Sequence, residues 1–191
     1  IHAKTTYQYN AINITNFENF DMINMFSMYN INDNTDIILA FGVVNNAIVD
    51  KLQEHKKPTI LFGAVNKDLI DIDFNKVTSG IKNFTYLIES ESYEEDIKKL
   101  HELTKFRRLG IVVEQHFLDI LPLKNTFDKE LKSIGAEYKL IPYKSVSDII
   151  GNIEGIDAIY LADGFFLKDD EIKQLANSFI EKKLPSFTNT G

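Results

Sequence analysis

The sequence predicts an α/β fold built on parallel strands, and two observations carry that prediction. Short, continuous apolar runs alternate with longer segments whose apolar residues recur at helical spacing. Several of those runs are apolar at every position, as expected of strands covered on both faces. "DIILAFG" (36–42) and "PTILFGAV" (58–65) both end in Phe-Gly, and both turn polar at an Asn a few residues on. In open parallel sheets, ligands sit outside the carboxyl ends of the strands. The segments beyond Gly42 and Gly63 therefore become the first places to look for a site.

Taken in order, "TTYQYNAINI" alternates as a strand, and Phe17, Phe20, Ile23 and Phe26 recur at helical spacing behind an Asn16 cap. Strand "DIILAFG" leads to helix "NNAIVDKLQEHK", strand "TILFGAV" follows Pro58, and "SGIKNFTYLIE" holds a further strand. Ser92 and Glu95 have capping-box spacing at the start of a helix over 92–104, with Tyr93, Ile97, Leu100 and Leu103 as its apolar stripe. Then come strand "RLGIVVE", helix "LPLKNTFDKELKSIG" with a Gly135 stop, strand "EYKLIPY", helix "SVSDIIGNIEG" and strand "DAIYLAD". Helix "KDDEIKQLANSFIEKK" and strand "PSFTNT" close the series. This count fits one sheet of seven or eight strands, or two smaller sheets joined across 86–105.

Bulk properties narrow the function. The formal net charge of −7 argues against a nucleic-acid or anionic-membrane partner. No apolar run approaches the roughly 20 residues needed to cross a bilayer, so no membrane insertion of this segment is expected. The absence of cysteine removes disulfides and thiolate metal sites. The start at Ile1 and the close in "PSFTNTG" suggest a piece of a longer chain. No G-x-G-x-x-G, Walker A or G-x-S-x-G pattern occurs, "HELTK" is not H-E-x-x-H, and no Ser/His/Asp set emerges from spacing. No cofactor, metal or catalytic residue is therefore assigned.

The stretches "TDIILAFGVVNNAIV", "PTILFGAVNKD", "NFTYLIE", "RLGIVVEQ", "IDAIYLADGF" and "LPSFTNT", in that order and spacing, resemble the substrate-binding proteins of ABC transporters, of the tryptophan/tyrosine-binding-like family. The resemblance covers most of 36–191. It implies the type I periplasmic-binding-protein fold: two Rossmann-like or flavodoxin-like lobes with parallel sheets. Residues 1–90 would form an incomplete first lobe, 91–104 a crossover helix and hinge region, and 105–191 a second lobe without its return crossover. The implied function is non-enzymatic. A small-molecule ligand, such as an amino acid or a related compound, is caught between the lobes by hinge closure. The implied partner is a membrane permease or a fused domain, and the implied location is periplasmic or extracytoplasmic. The alternatives are a ligand-sensing or protein-interaction domain of a larger membrane-associated protein, and an enzyme on a flavodoxin-like sheet acting through Asp163 or His116.

The candidate ligand contacts lie where strands end. Val43, Val44, Asn45 and Asn46 stand where the family has Thr-Pro followed by a small residue. The hydroxyl is lost there, and Asn45 is either a helix cap or a contact. Asn66 and Lys67 could meet a polar group and a carboxylate, or with Asp68 form a solvated turn. His116 follows "RLGIVVEQ" as a loop residue or a contact, and Phe117 offers a ring for stacking. Asp163 with Phe165 and Phe166 could hold an ammonium group by charge and cation–π attraction, or cap a helix and fill a core. Thr188 ends the last strand and could line the same cleft.

Overall fold

The computed structural model describes residues 34–42, 45, 54–63, 67–88, 92–121, 123–162 and 167–188, with the backbone alone at 116, 119 and 120. The fold is α/β, and every strand pair in it is parallel. Strands β1 (Ile38–Phe41), β2 (Glu54–Phe62) and β3 (Lys82–Tyr86) form one sheet in the order β1-β2-β3. Strands β4 (Arg108–Glu114), β5 (Glu137–Tyr143), β6 (Ala158–Leu161) and β7 (Ser186–Thr188) form a second in the order β5-β4-β6-β7. Of the two arrangements that the strand count allowed, the chain adopts two sheets. The expected strand and helix before residue 34 lie outside the described residues.

The four-stranded sheet is buried on both faces, and the two-residue period of its strands sorts the core. Leu109, Ile111 and Val113 of β4, with Ala158 and Tyr160 of β6, join one cluster. Helices α1 (Tyr93–Thr104), α2 (Gln115–Ile120) and α3 (Leu123–Ser133) supply Ile97, Phe117 and Phe127 to it. Val112 and Ile159 point the other way, into a cluster with Val146 and Ile149 of α4 (Val146–Ile150) and Leu175 and Phe179 of α5 (Asp169–Glu181). Gly110 is closely packed on that side. A Cβ there would lie 2.8 Å from Ile159 Cδ1 and 3.1 Å from Ile141 Cδ1. The first cluster also holds Ile38, Ala40, Leu61 and Phe84 of the three-stranded sheet, so one continuous core contains residues of both sheets.

Five expectations are corrected. The helix expected over 45–56 does not reach its end, because β2 begins at Glu54. His55 is 1% exposed and stacked on Phe84 with ring centroids 5.2 Å apart, and its carbonyl accepts from Asn83 Nδ2 at 2.8 Å. Pro58 lies inside β2, where the register shifts between Glu54 and Thr59, a position that tolerates a missing N–H. Leu103 is not on the buried stripe of α1: it is 80% exposed. At about 100° per residue it falls roughly 90° from the centre of the Tyr93–Ile97–Leu100 face.

The stretch after β4, expected as a loop, is helix α2, and the following helix starts at Leu123 rather than Leu121. The helix expected over 145–155 stops at Ile150, where Gly151 caps it and Asn152 Nδ2 bonds back to the Asp148 carbonyl. The other ends follow their sequence signals. Ser92 Oγ accepts from Glu95 N–H at 3.2 Å, and Gly135, at φ +69°, stops α3.

Candidate functional site

The two Phe-Gly strand ends are one structure. Gly42 N–H donates to the carbonyls of both Phe62 (3.1 Å) and Gly63 (3.2 Å), and the Phe41 ring lies over Gly63. Both glycines have positive φ, +91° and +68°, which side chains rarely adopt. Asn45, the helical residue just beyond, is buried, and its Nδ2 donates to the Phe41 carbonyl at 2.7 Å. That amide is committed to holding the turn.

Lys67 reaches Glu95 Oε1 of α1 at 3.4 Å, a half-exposed pair. Its neighbour Asp68 is tied more deeply. The Asp68 Oδ2 accepts from Glu94 N–H at 3.5 Å, at the positive end of α1, and its carbonyl accepts from Thr126 Oγ1 of α3 at 3.2 Å. Burial pushes the Asp68 carboxyl above the ordinary carboxylate range, opposed by the Glu94 N–H bond and the Lys67 charge. Leu69 and Ile70 then enter the shared core. Residues 67–70 are therefore a clasp between the shared core and helices α1 and α3.

In the second sheet the strand order reverses at β4, with β5 on one side and β6 on the other. The crevice of such a sheet opens beyond the carboxyl ends of the strands flanking the reversal. Glu114 passes directly into α2 there, and Ala162 N–H closes β6 onto the Val112 carbonyl at 3.0 Å. Thr188 is exposed at the end of β7, paired in register with Leu161. Phe117 is 5% exposed and belongs to the core cluster, so its ring faces protein. His116 lies within α2. Asn66, Asp163 and Phe165 lie outside the described residues. At the end of β5, a single oxygen of Asp148 accepts from Lys144 N–H (3.0 Å), Ser145 N–H (2.9 Å) and Ser145 Oγ (2.9 Å). These bonds hold the Asp148 carboxyl below its ordinary range and fill a nest that would otherwise suit an anion.

An open depression of about 520 Å³, lined by Val77, Ser79, Ile81, Lys82, Phe84 and Thr85, sits at the amino end of β3, away from these strand ends. Among the described residues, no group of three His, Cys, Asp or Glu is placed to hold a metal, and no helix is long and apolar enough to cross a membrane.

The sequence reading missed the roles of Thr126 and Glu130. Both are polar, buried and on the same face of α3 as Leu123, Phe127 and Leu131. Two polar residues four apart on an apolar face were the available signal. Comparison of the chain with family models, curated proteins and solved structures gives no match.

Proposed function

We propose that the chain is a non-enzymatic, extracytoplasmic solute-binding module of an ABC-type uptake system, taking a small ligand such as an amino acid between two lobes. The observation that carries this reading is the reversal of strand order at β4. The stretch "DGFF" (163–166) follows β6 there, and Thr188 ends the neighbouring β7. In sequence, a carboxylate and two aromatic residues follow β6 and a hydroxyl ends β7, a set of residue types that suits a ligand bearing an ammonium group. The ligand stabilises the closed state by binding it more tightly than the open one. The partner is a permease or a further domain of the same chain.

A second reading, a protein-interaction domain, is favoured by how the other candidates are used. Asn45 is bound to its own strand end, Lys67 to Glu95, and Phe117 is in the core. A thermal-shift screen of the chain against amino acids, small peptides, nucleosides and sugars separates the two. A ligand of the native state raises the melting temperature, and the solute-binding reading expects a hit that Asp163→Ala and Thr188→Ala both weaken. A cooperatively melting protein with no shift across the whole library overturns that reading in favour of the second.

A further inference from the structure

The outer face of the three-stranded sheet is largely apolar and partly exposed, with Thr85 its polar member beside Ile60. Along β1, Ile38 and Ala40 face the core while Leu39 and Phe41 are 60% and 69% exposed. The register places Leu39 beside Ile60 and Phe41 beside Phe62, and the Phe41 and Phe62 rings meet edge-on at 5.3 Å. Leu87, whose N–H bonds the Leu61 carbonyl, extends the row and is also exposed. A parallel sheet with two apolar faces requires cover on both.

One connection does not supply that cover: the segment between β2 and β3 delivers Leu69 and Ile70 to the inner core.

Residues 16–30 fit that need. Phe17, Phe20, Ile23 and Phe26 recur every third residue, and all 3 methionines of the chain lie among them, with Glu18 and Asp21 the only charges. Between the segment and β1 the sequence is rich in Asn and Asp. Ile37 lies eleven positions after Phe26, a reach of roughly 36 Å when extended. The outer face is thus within reach of an apolar segment that itself needs burial.

We infer that residues 16–30 dock on the outer face of the three-stranded sheet, over Leu39, Phe41, Ile60 and Phe62. Tethering makes the encounter intramolecular, at an effective concentration in the millimolar range. The chain contains no cysteine, so introduced pairs are unique reporters. The full chain would carry Phe20→Cys with Leu39→Cys, or Ile23→Cys with Ile60→Cys, and be treated with a short bismaleimide. Intact mass then separates products within one chain from products between chains. The expected result is an intrachain crosslink whose yield is unchanged by dilution. An interchain product that falls on dilution assigns the face to a second copy and overturns the inference. Labelling at both cysteines without a crosslink leaves the face to another protein and also overturns it. A second measurement avoids paired variants: Leu39→Cys alone should react with a maleimide about tenfold more slowly than in the Phe20→Asp background. Equal rates overturn the inference.

Discussion

The Phe41 ring occupies the space that a side chain at Gly63 would need: a Cβ on Gly63 would lie 2.3 Å from Phe41 Cε2. The ring of the first Phe-Gly thus covers the glycine of the second, while Gly42 has open space beside it. The left-handed backbone at Gly42 and Gly63 lets both strand ends turn.

Gly63→Ala meets two penalties, the ring contact and the positive φ. The φ alone costs about 1 kcal/mol, and moving the largely exposed Phe41 ring aside adds a smaller part. Adding Phe41→Ala should recover the second part and leave the first. Urea denaturation of the two single variants and the double variant gives the coupling directly. Additive losses would show that the ring contact has no energetic weight.

Tyr160 is fully buried in β6, and its hydroxyl donates to Asp96 Oδ2 of α1 at 2.9 Å. Tyr160→Phe removes that bond to a charged acceptor and should cost about 1.5–3 kcal/mol in chemical denaturation. Asp96→Asn keeps an acceptor oxygen, so its loss should be smaller.

Asp68 and Asp148 should respond to pH with opposite signs. The folded pKa of Asp68 is raised by burial, so its contribution favours the fold at acid pH and is lost as pH rises through that pKa. Asp68→Asn should therefore improve stability relative to the parent at neutral pH, with the gain vanishing below pH 3.8, the carboxyl's ordinary value. The folded pKa of Asp148 is lowered by the Lys144 N–H, Ser145 hydroxyl and Ser145 N–H bonds. Its contribution is present above the ordinary value and is lost as pH falls through the folded pKa. Asp148→Asn should be destabilising at neutral pH and neutral in strong acid. Melting temperatures of both variants across pH 2–7 test the pair, and parallel curves would contradict it.

Leu100 and Leu103 share α1 but not an environment, at 3% and 80% exposed. Leu100→Ala should cost about 2–5 kcal/mol, and Leu103→Ser should stay within about 0.5 kcal/mol of the parent. Equilibrium unfolding of both variants decides it.

The elements most legible in sequence are those whose burial is continuous. The run "RLGIVVE" reads as a strand and is β4 over the same residues, because both of its faces are packed. The amino end of β2 was not legible. Glu54–Lys57 alternate in a way that helical spacing also accommodates, and what fixes them in the sheet is His55 on Phe84 and Asn83 on the His55 carbonyl, 28 residues away. The same holds at the candidate site. Lys67 is drawn to Glu95, and the Asp68 carbonyl to Thr126, 58 residues on. Local pattern places a residue at a strand end, but its partner there is set by how α1 and α3 return to the first sheet.

The shared core has a consequence for synthesis. The inner face of the three-stranded sheet is completed by residues of α1 and α3 that leave the ribosome long after it does: Leu131 follows Leu61 by seventy positions. At about 5–20 residues per second, that is a wait of roughly 4–14 s. During that interval the part of the shared core that lies in α3 has not yet been made, and Ile38, Ala40 and Leu61 belong to an incomplete core. The nascent first half is then the stretch that a chaperone binding short apolar segments would hold, until translation delivers the helices that release it.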